Sequence, residues 1–93
     1  MPVVVTENGM ATQDDARRID YTHDALVGLH DAMADGIDVR GYLHWSAFDN
    51  FEWSEGYRPT FGLIAVDRDD FTRRPKPSAH ALDRVARTGR LPA

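Results

Sequence analysis

The sequence contains no cysteine, so neither a disulfide nor a thiolate metal site is possible. It also lacks any apolar run near the ~20 residues that a membrane span requires. A basic field is missing: 11 basic residues stand against 15 acidic ones for a net charge of −4. Ten of the 11 basic residues are arginine, scattered and interleaved with aspartate rather than gathered in a patch. Nucleic acid and anionic membrane are therefore excluded as partners. His23 and His30 lie seven positions apart with no glutamate placed as in His-Glu-x-x-His, which argues against a metal site. The start, Met1-Pro2, has neither the charged nor the apolar region of a signal peptide. With no cysteine and no leader, the cytoplasm is the expected compartment. No internal repeat and no low-complexity tract interrupts a composition of 42% hydrophobic and 28% charged residues, ordinary for a globular chain.

Against these absences stands an ordered set of elements. Val3-Val4-Val5 is a β-branched apolar run that reads as a buried strand. Asn8-Gly9 reads as a turn, because both residues accept positive φ cheaply. A chain that begins inside a strand suggests truncation. Asp14 or Asp15 can cap the helix that follows. Ile19, Thr22, Leu26, Leu29 and Met33 recur at helical spacing and predict an amphipathic helix over 16–34, with Gly36 as its stop. A second strand is expected over 37–45, with Gly41 marking a bulge or close approach. Residues 46–60 form a long aromatic and acidic segment without periodicity, and loops of that length in compact folds usually carry function. A short strand over 61–66, a charged connector over 71–77 and a final helix from Ser78, closed by Gly89, complete the order.

Two chemical features stand out. Glu7 falls at the C-terminal end of a strand, the edge at which ligands bind in parallel α/β folds. On position alone, a solvated or paired strand-end carboxylate is the more ordinary reading. Glu52-Trp53 joins a carboxylate that can accept two sugar hydroxyls to an indole with an apolar face and one donor. The plain alternative for Trp45 and Trp53 is packing in a core. Asp49-Asn50 reads as loop scaffolding, and Phe48, Phe51, Tyr57 and Phe61 read as apolar anchors of the loop. His44 is placed towards the core.

Taken together, Thr6-Glu7-Asn8-Gly9, Trp45-Ser46 and Asp49-Asn50-Phe51-Glu52-Trp53 resemble glycoside hydrolase family 1, the β-glucosidase family, over essentially the whole chain. The resemblance implies an α/β fold, the TIM (β/α)8 barrel, of which residues 1–93 make only the last two βα units. A full barrel takes about 250 residues. It further implies that Glu7 is the nucleophile of a retaining β-glycosidase, and that Trp45, Glu52 and Trp53 line the −1 sugar subsite. No cofactor and no metal is implied. The family's acid/base glutamate belongs to an Asn-Glu-Pro motif that this sequence lacks, its only other glutamates being Glu52 and Glu55. The implied ligand is a β-glucoside or related saccharide. Glu52 stands where 6-phospho-sugar members carry serine and lysine, favouring the non-phosphorylated class. The implied partners are the remaining barrel segment or further copies of the chain. The rival reading is a non-catalytic fragment that binds sugar or completes a barrel.

Overall fold

The computed structural model describes residues 1–51 and 55–92. In chain order it contains strand β1 (Val3–Asn8), helix α1 (Asp15–Ala34), strands β2 (Val39–His44), β3 (Ile64–Val66) and β4 (Arg73–Pro75), and helix α2 (Pro77–Thr88). β1 and β2 pair in parallel, with Val3 opposite Val39, Val4 opposite Gly41 and Val5 opposite Tyr42. Parallel neighbours need a crossover, and α1 supplies it as expected.

The register is broken twice. The first shift, between Val3 and Val4, falls opposite Val39 and Gly41, the bulge expected at that glycine. The second lies between Val5 and Asn8, where β1 carries one residue more than β2 before Asn8 meets His44. That interval holds Thr6 and Glu7. A one-residue excess in a strand re-aims its side chains, so Glu7 does not follow the alternation set by the valines.

The helices follow their local signals. Asp14 caps α1 through a bond from Ala16 N at 3.1 Å, and Gly36 follows its end at φ 95°. Proline opens α2 and Gly89 closes it in the left-handed region at φ 68°. Lys76, at the cap position of α2, offers no side-chain acceptor. Asp15 takes over, accepting from Ser78 N at 2.8 Å and Ser78 Oγ at 2.7 Å across 63 residues of sequence. The two helices meet along an apolar seam that includes Ile19, Leu26, Leu82 and Val85.

Two expectations need correction. Residues 71–77 are not merely a connector: β4 pairs antiparallel with β3, Ile64 opposite Pro75 and Val66 opposite Arg73. Arg73-Arg74-Pro75 carries no strand propensity of its own, and proline is tolerated there because a strand edge needs no donor. Nor is the Val3–Val5 run buried, since Val3 and Val4 are 40% and 49% exposed. Parallel strands need cover on both faces. This two-stranded sheet has a free edge on each strand, and no apolar side chain among the described residues is fully buried.

Candidate functional site

Because β1 and β2 run parallel, their C-terminal ends fall together. Trp45 N donates to Asn8 O at 2.9 Å, and Glu7, Asn8, Gly9, Tyr21 and Trp45 line one open groove. Glu7 and Trp45, 38 positions apart in sequence, are thus brought together, with the Glu7 side of the groove open to solvent. Glu52 and Trp53 lie outside the described residues. The Trp45–Ser46 peptide, immediately beyond β2, is cis.

Gly9 is required for a reason other than the one expected. Neither Asn8 nor Gly9 has positive φ. A Cβ on Gly9 would instead collide with the Trp45 carbonyl group and press on His44. The requirement is for close approach of two backbones rather than for a left-handed turn.

Asn8 is locked from both ends of its amide. Tyr42 OH donates to Oδ1 at 3.0 Å, and Nδ2 donates to Tyr21 OH at 3.3 Å. Burial, and then the neighbouring Tyr21, push the Tyr42 hydroxyl above the usual tyrosine range, so it stays protonated and donates. Neither tyrosine is legible as a site neighbour in the sequence, since they reach Asn8 from 13 and 34 residues away.

The segment after β2 is held at both limbs. On the near limb Ser46, almost fully buried, donates from Oγ to Phe48 O at 2.7 Å. Asp49 Oδ1 accepts from Gly62 N at 2.8 Å and from Lys76 Nζ at 3.0 Å, and Lys76 Nζ also donates to Gly62 O at 2.8 Å. Asp49 is thus loop scaffolding, as its residue type suggests. Lys76, the lone lysine, was not legible as its partner.

The aromatic anchors differ from expectation. Phe48, Phe51 and Tyr57 are exposed rather than inserted into a core. Phe51 and Tyr57 meet edge to face at 5.4 Å. Arg68 lies over the Tyr57 ring at 4.0 Å and Arg73 over Phe48 at 5.4 Å. Guanidinium groups above the Tyr57 and Phe48 rings, and the edge contact of Phe51 with Tyr57, stand where apolar burial was expected, since a cation is attracted to an aromatic face. Phe61 is half-buried.

His44 is half-buried with Nε2 3.2 Å from Phe61 O, in line with the core placement. Burial pulls its pKa below the ordinary histidine value of 6.5, with the Arg18 and Lys76 charges acting in the same direction. It is neutral at pH 7.

The far limb depends on Arg18, which is 1% exposed. Its Nη2 donates to Thr12 O and to Thr60 O, each at 2.6 Å, and its Nη1 to Asp15 Oδ1 at 2.7 Å. Thr12 N also donates to Thr60 O at 3.1 Å, and Thr60 Oγ1 to Thr12 O at 2.7 Å. Burial pushes the Asp15 carboxyl up, but the bonds from Ser78 and Arg18 and the guanidinium charge outweigh it and hold the pKa below 3.8. Among the described residues no group of three acidic or histidine side chains could hold a metal ion, and no helix is long and apolar enough to cross a membrane.

The family model for Glycosyl hydrolase family 1 matches residues 1–90. Beta-glucosidase 42 of Arabidopsis thaliana is 43% identical over 91 residues, which are 85% of this chain and 19% of the relative. Among solved structures, beta-glucosidase 1317 is 58% identical with a TM-score of 0.93, over 99% of this chain and 23% of its own. A beta-glucosidase from Thermotoga maritima in complex with castanospermine is 35% identical with a TM-score of 0.95, over 99% of this chain and 23% of its own. The chain spans between 14% and 20% of the length of the curated relatives it matches. The solved neighbours are TIM-barrel glycosidases, and the chain corresponds to a part of that barrel.

Proposed function

The chain belongs to glycosyl hydrolase family 1, and from that premise we propose that residues 1–93 form the last two βα units of a (β/α)8 barrel that hydrolyses terminal β-linked sugars, β-glucosides first among them. The observation that carries the reading is the meeting of Glu7 and Trp45 in one groove at the C-terminal ends of adjacent parallel strands, the edge at which barrel enzymes build their sites.

Retaining hydrolysis needs two carboxyl groups about 5–5.5 Å apart across the scissile bond. A Glu7 carboxylate oxygen attacks the anomeric carbon while the bond to the leaving oxygen breaks. That oxygen takes a proton from the second carboxyl group. Water then gives a proton back to the second group and attacks the same carbon, releasing Glu7. The protein groups supply all the proton transfers, so the scheme calls for no metal or cofactor. Trp45 offers an apolar platform beside the nucleophile, and Glu52-Trp53 grips the sugar hydroxyls. The second carboxyl group comes from another part of the barrel, because neither Glu52 nor Glu55 lies in an Asn-Glu-Pro motif.

That last point also favours a second reading, in which the chain serves as a sugar-binding or barrel-completing piece without catalysis of its own. A hybrid barrel separates the two. The matching segment of beta-glucosidase 1317 is replaced by this chain, and aryl β-glucoside turnover is measured. The proposal expects turnover that Glu7→Gln abolishes, with a covalent glycosyl adduct on Glu7 trapped by a slow fluorosugar. Turnover equal in the Glu7→Gln hybrid refutes it.

A further inference from the structure

The most buried side chain described, Arg18, is absent from the chemistry above, and its contacts are not those of a surface ion pair. Its fork reaches three acceptors on three segments: the Thr12 carbonyl in the segment that leaves Glu7, the Thr60 carbonyl on the far limb of the 46–60 loop, and the Asp15 carboxylate at the start of α1. Asp15 in turn holds the first turn of α2 through Ser78. Next to Thr60, Phe61 O accepts from Ser46 N at 3.3 Å and faces His44 Nε2, so the far limb is tied back to the strand end that carries Trp45. Gln13 Nε2 adds a bond to Arg58 O at 3.4 Å.

We propose that Arg18 is a positioning residue for the sugar site: its guanidinium fixes the far limb of the loop bearing Glu52-Trp53 against the segment that follows Glu7. The proposal rests on the glycosidase reading of the groove. The physical case is one of geometry and burial. A planar fork with five donors can hold two carbonyl groups and a carboxylate at once, which the point charge of a lysine cannot. The Asp49 bonds to Gly62 N and Lys76 Nζ form a second tie between the ends of the loop that does not involve Arg18. Loss of the Arg18 bonds therefore frees the Thr12–Thr60 junction while the Asp49 tie stays in place. Displacement of a sugar-holding group by about 1 Å costs roughly 100-fold in rate, without any loss of the catalytic carboxylates themselves.

The test uses the hybrid barrel and the variants Arg18→Lys, Arg18→Met and Thr60→Val. Arg87→Met, which breaks only the exposed pair of Arg87 with Asp83, serves as the control for a lost ion pair. All are assayed well below their melting temperatures, with folded fraction checked by circular dichroism. Arg18→Lys and Arg18→Met are expected to lower kcat/KM on an aryl β-glucoside by about 10–100-fold. Arg87→Met is expected to leave it unchanged. Combination with Glu52→Ala should add less than the product of the two single losses, because both act through the same loop. Chymotrypsin cleavage after Tyr57, which is 56% exposed, should accelerate in the Arg18 variants. Should Arg18→Met fail to fold, Thr60→Val, which removes only the Thr60 Oγ1 bond to Thr12, is expected to move kcat/KM and cleavage in the same directions by a few-fold. Folded Arg18→Lys or Arg18→Met with unchanged kcat/KM and unchanged cleavage overturns the proposal. Turnover that survives Glu7→Gln overturns the glycosidase reading instead, and the cleavage rates still report on the clamp.

Discussion

Gly9→Ala isolates one steric fact about the site. A Cβ at position 9 would stand 3.2 Å from the Trp45 carbonyl carbon, closer still to its oxygen, and 3.4 Å from His44 Cε1. Unstrained carbon contacts lie near about 3.5–4.0 Å, so the two backbones must part by something on the order of 1 Å. Neither side yields easily. Asn8 is fixed by two tyrosines and by Trp45 N. Overpacking of this kind costs about 1–3 kcal/mol in stability. The larger consequence falls on rate, because the shift separates Glu7 from Trp45, and a misplacement of about 1 Å can cost about 100-fold. Gly9→Asn discriminates the cause. Asparagine tolerates the left-handed region, so a turn requirement would make Asn far milder than Ala. The close approach makes Asn at least as damaging as Ala. In the hybrid barrel, kcat/KM should fall for both variants, and melting temperature should fall with it. A Gly9→Ala hybrid with wild-type kcat/KM, or a Gly9→Asn hybrid that recovers it, would refute the steric argument.

The isolated chain should hydrolyse aryl β-glucosides no faster than its own Glu7→Gln variant, since general acid–base help worth about 10²–10⁴-fold is missing; measured turnover above that control counts against it. Trp45→Ala in the hybrid should lower kcat/KM by about 1–3 kcal/mol through loss of the apolar platform, read from steady-state kinetics on glucosides. Acidification should weaken the fold in two windows. His44, whose folded pKa is depressed, contributes stability above its ordinary 6.5 that is lost as pH falls below it. Asp15, also depressed, contributes stability above 3.8 that is lost as pH falls through its folded value. Urea midpoints against pH should lose the first step in His44→Gln and the second in Asp15→Asn. Finally, the 10.5 kDa chain on its own should self-associate or remain partly unfolded, because Val3, Val4, Ile37 and Leu43 are exposed and no apolar side chain described is fully buried. Leaving about 300–500 Å² of such surface wet forgoes about 8–13 kcal/mol. A sharp monomer in sedimentation, with protected strand amides in hydrogen exchange, is the outcome that reasoning does not survive.

What the amino-acid order determined by itself is what local chemistry controls. The apolar period of 19–33, with aspartate before it and glycine after, places α1 to within a residue at its start. Proline and Gly89 bracket α2, Gly41 marks a bulge, and the motifs around Glu7, Trp45 and Asp49 point to the family that matches residues 1–90. These signals act over a few residues, so one strand of text carries them whole. The rest was decided in three dimensions. β4 exists only because β3 lies beside it, and Phe48, Phe51 and Tyr57 are exposed because arginine faces and ring edges rather than a core receive them. Arg18 looks like one more surface arginine until the Thr60 carbonyl arrives from 42 residues away and closes over it. Gly9 looks like a turn until Trp45 is laid against it. A hydrogen bond or a van der Waals contact depends on distance in space, and a buried charge depends on which groups surround it. Neither quantity is set by separation along the chain, so only the folded arrangement could assign those residues their work.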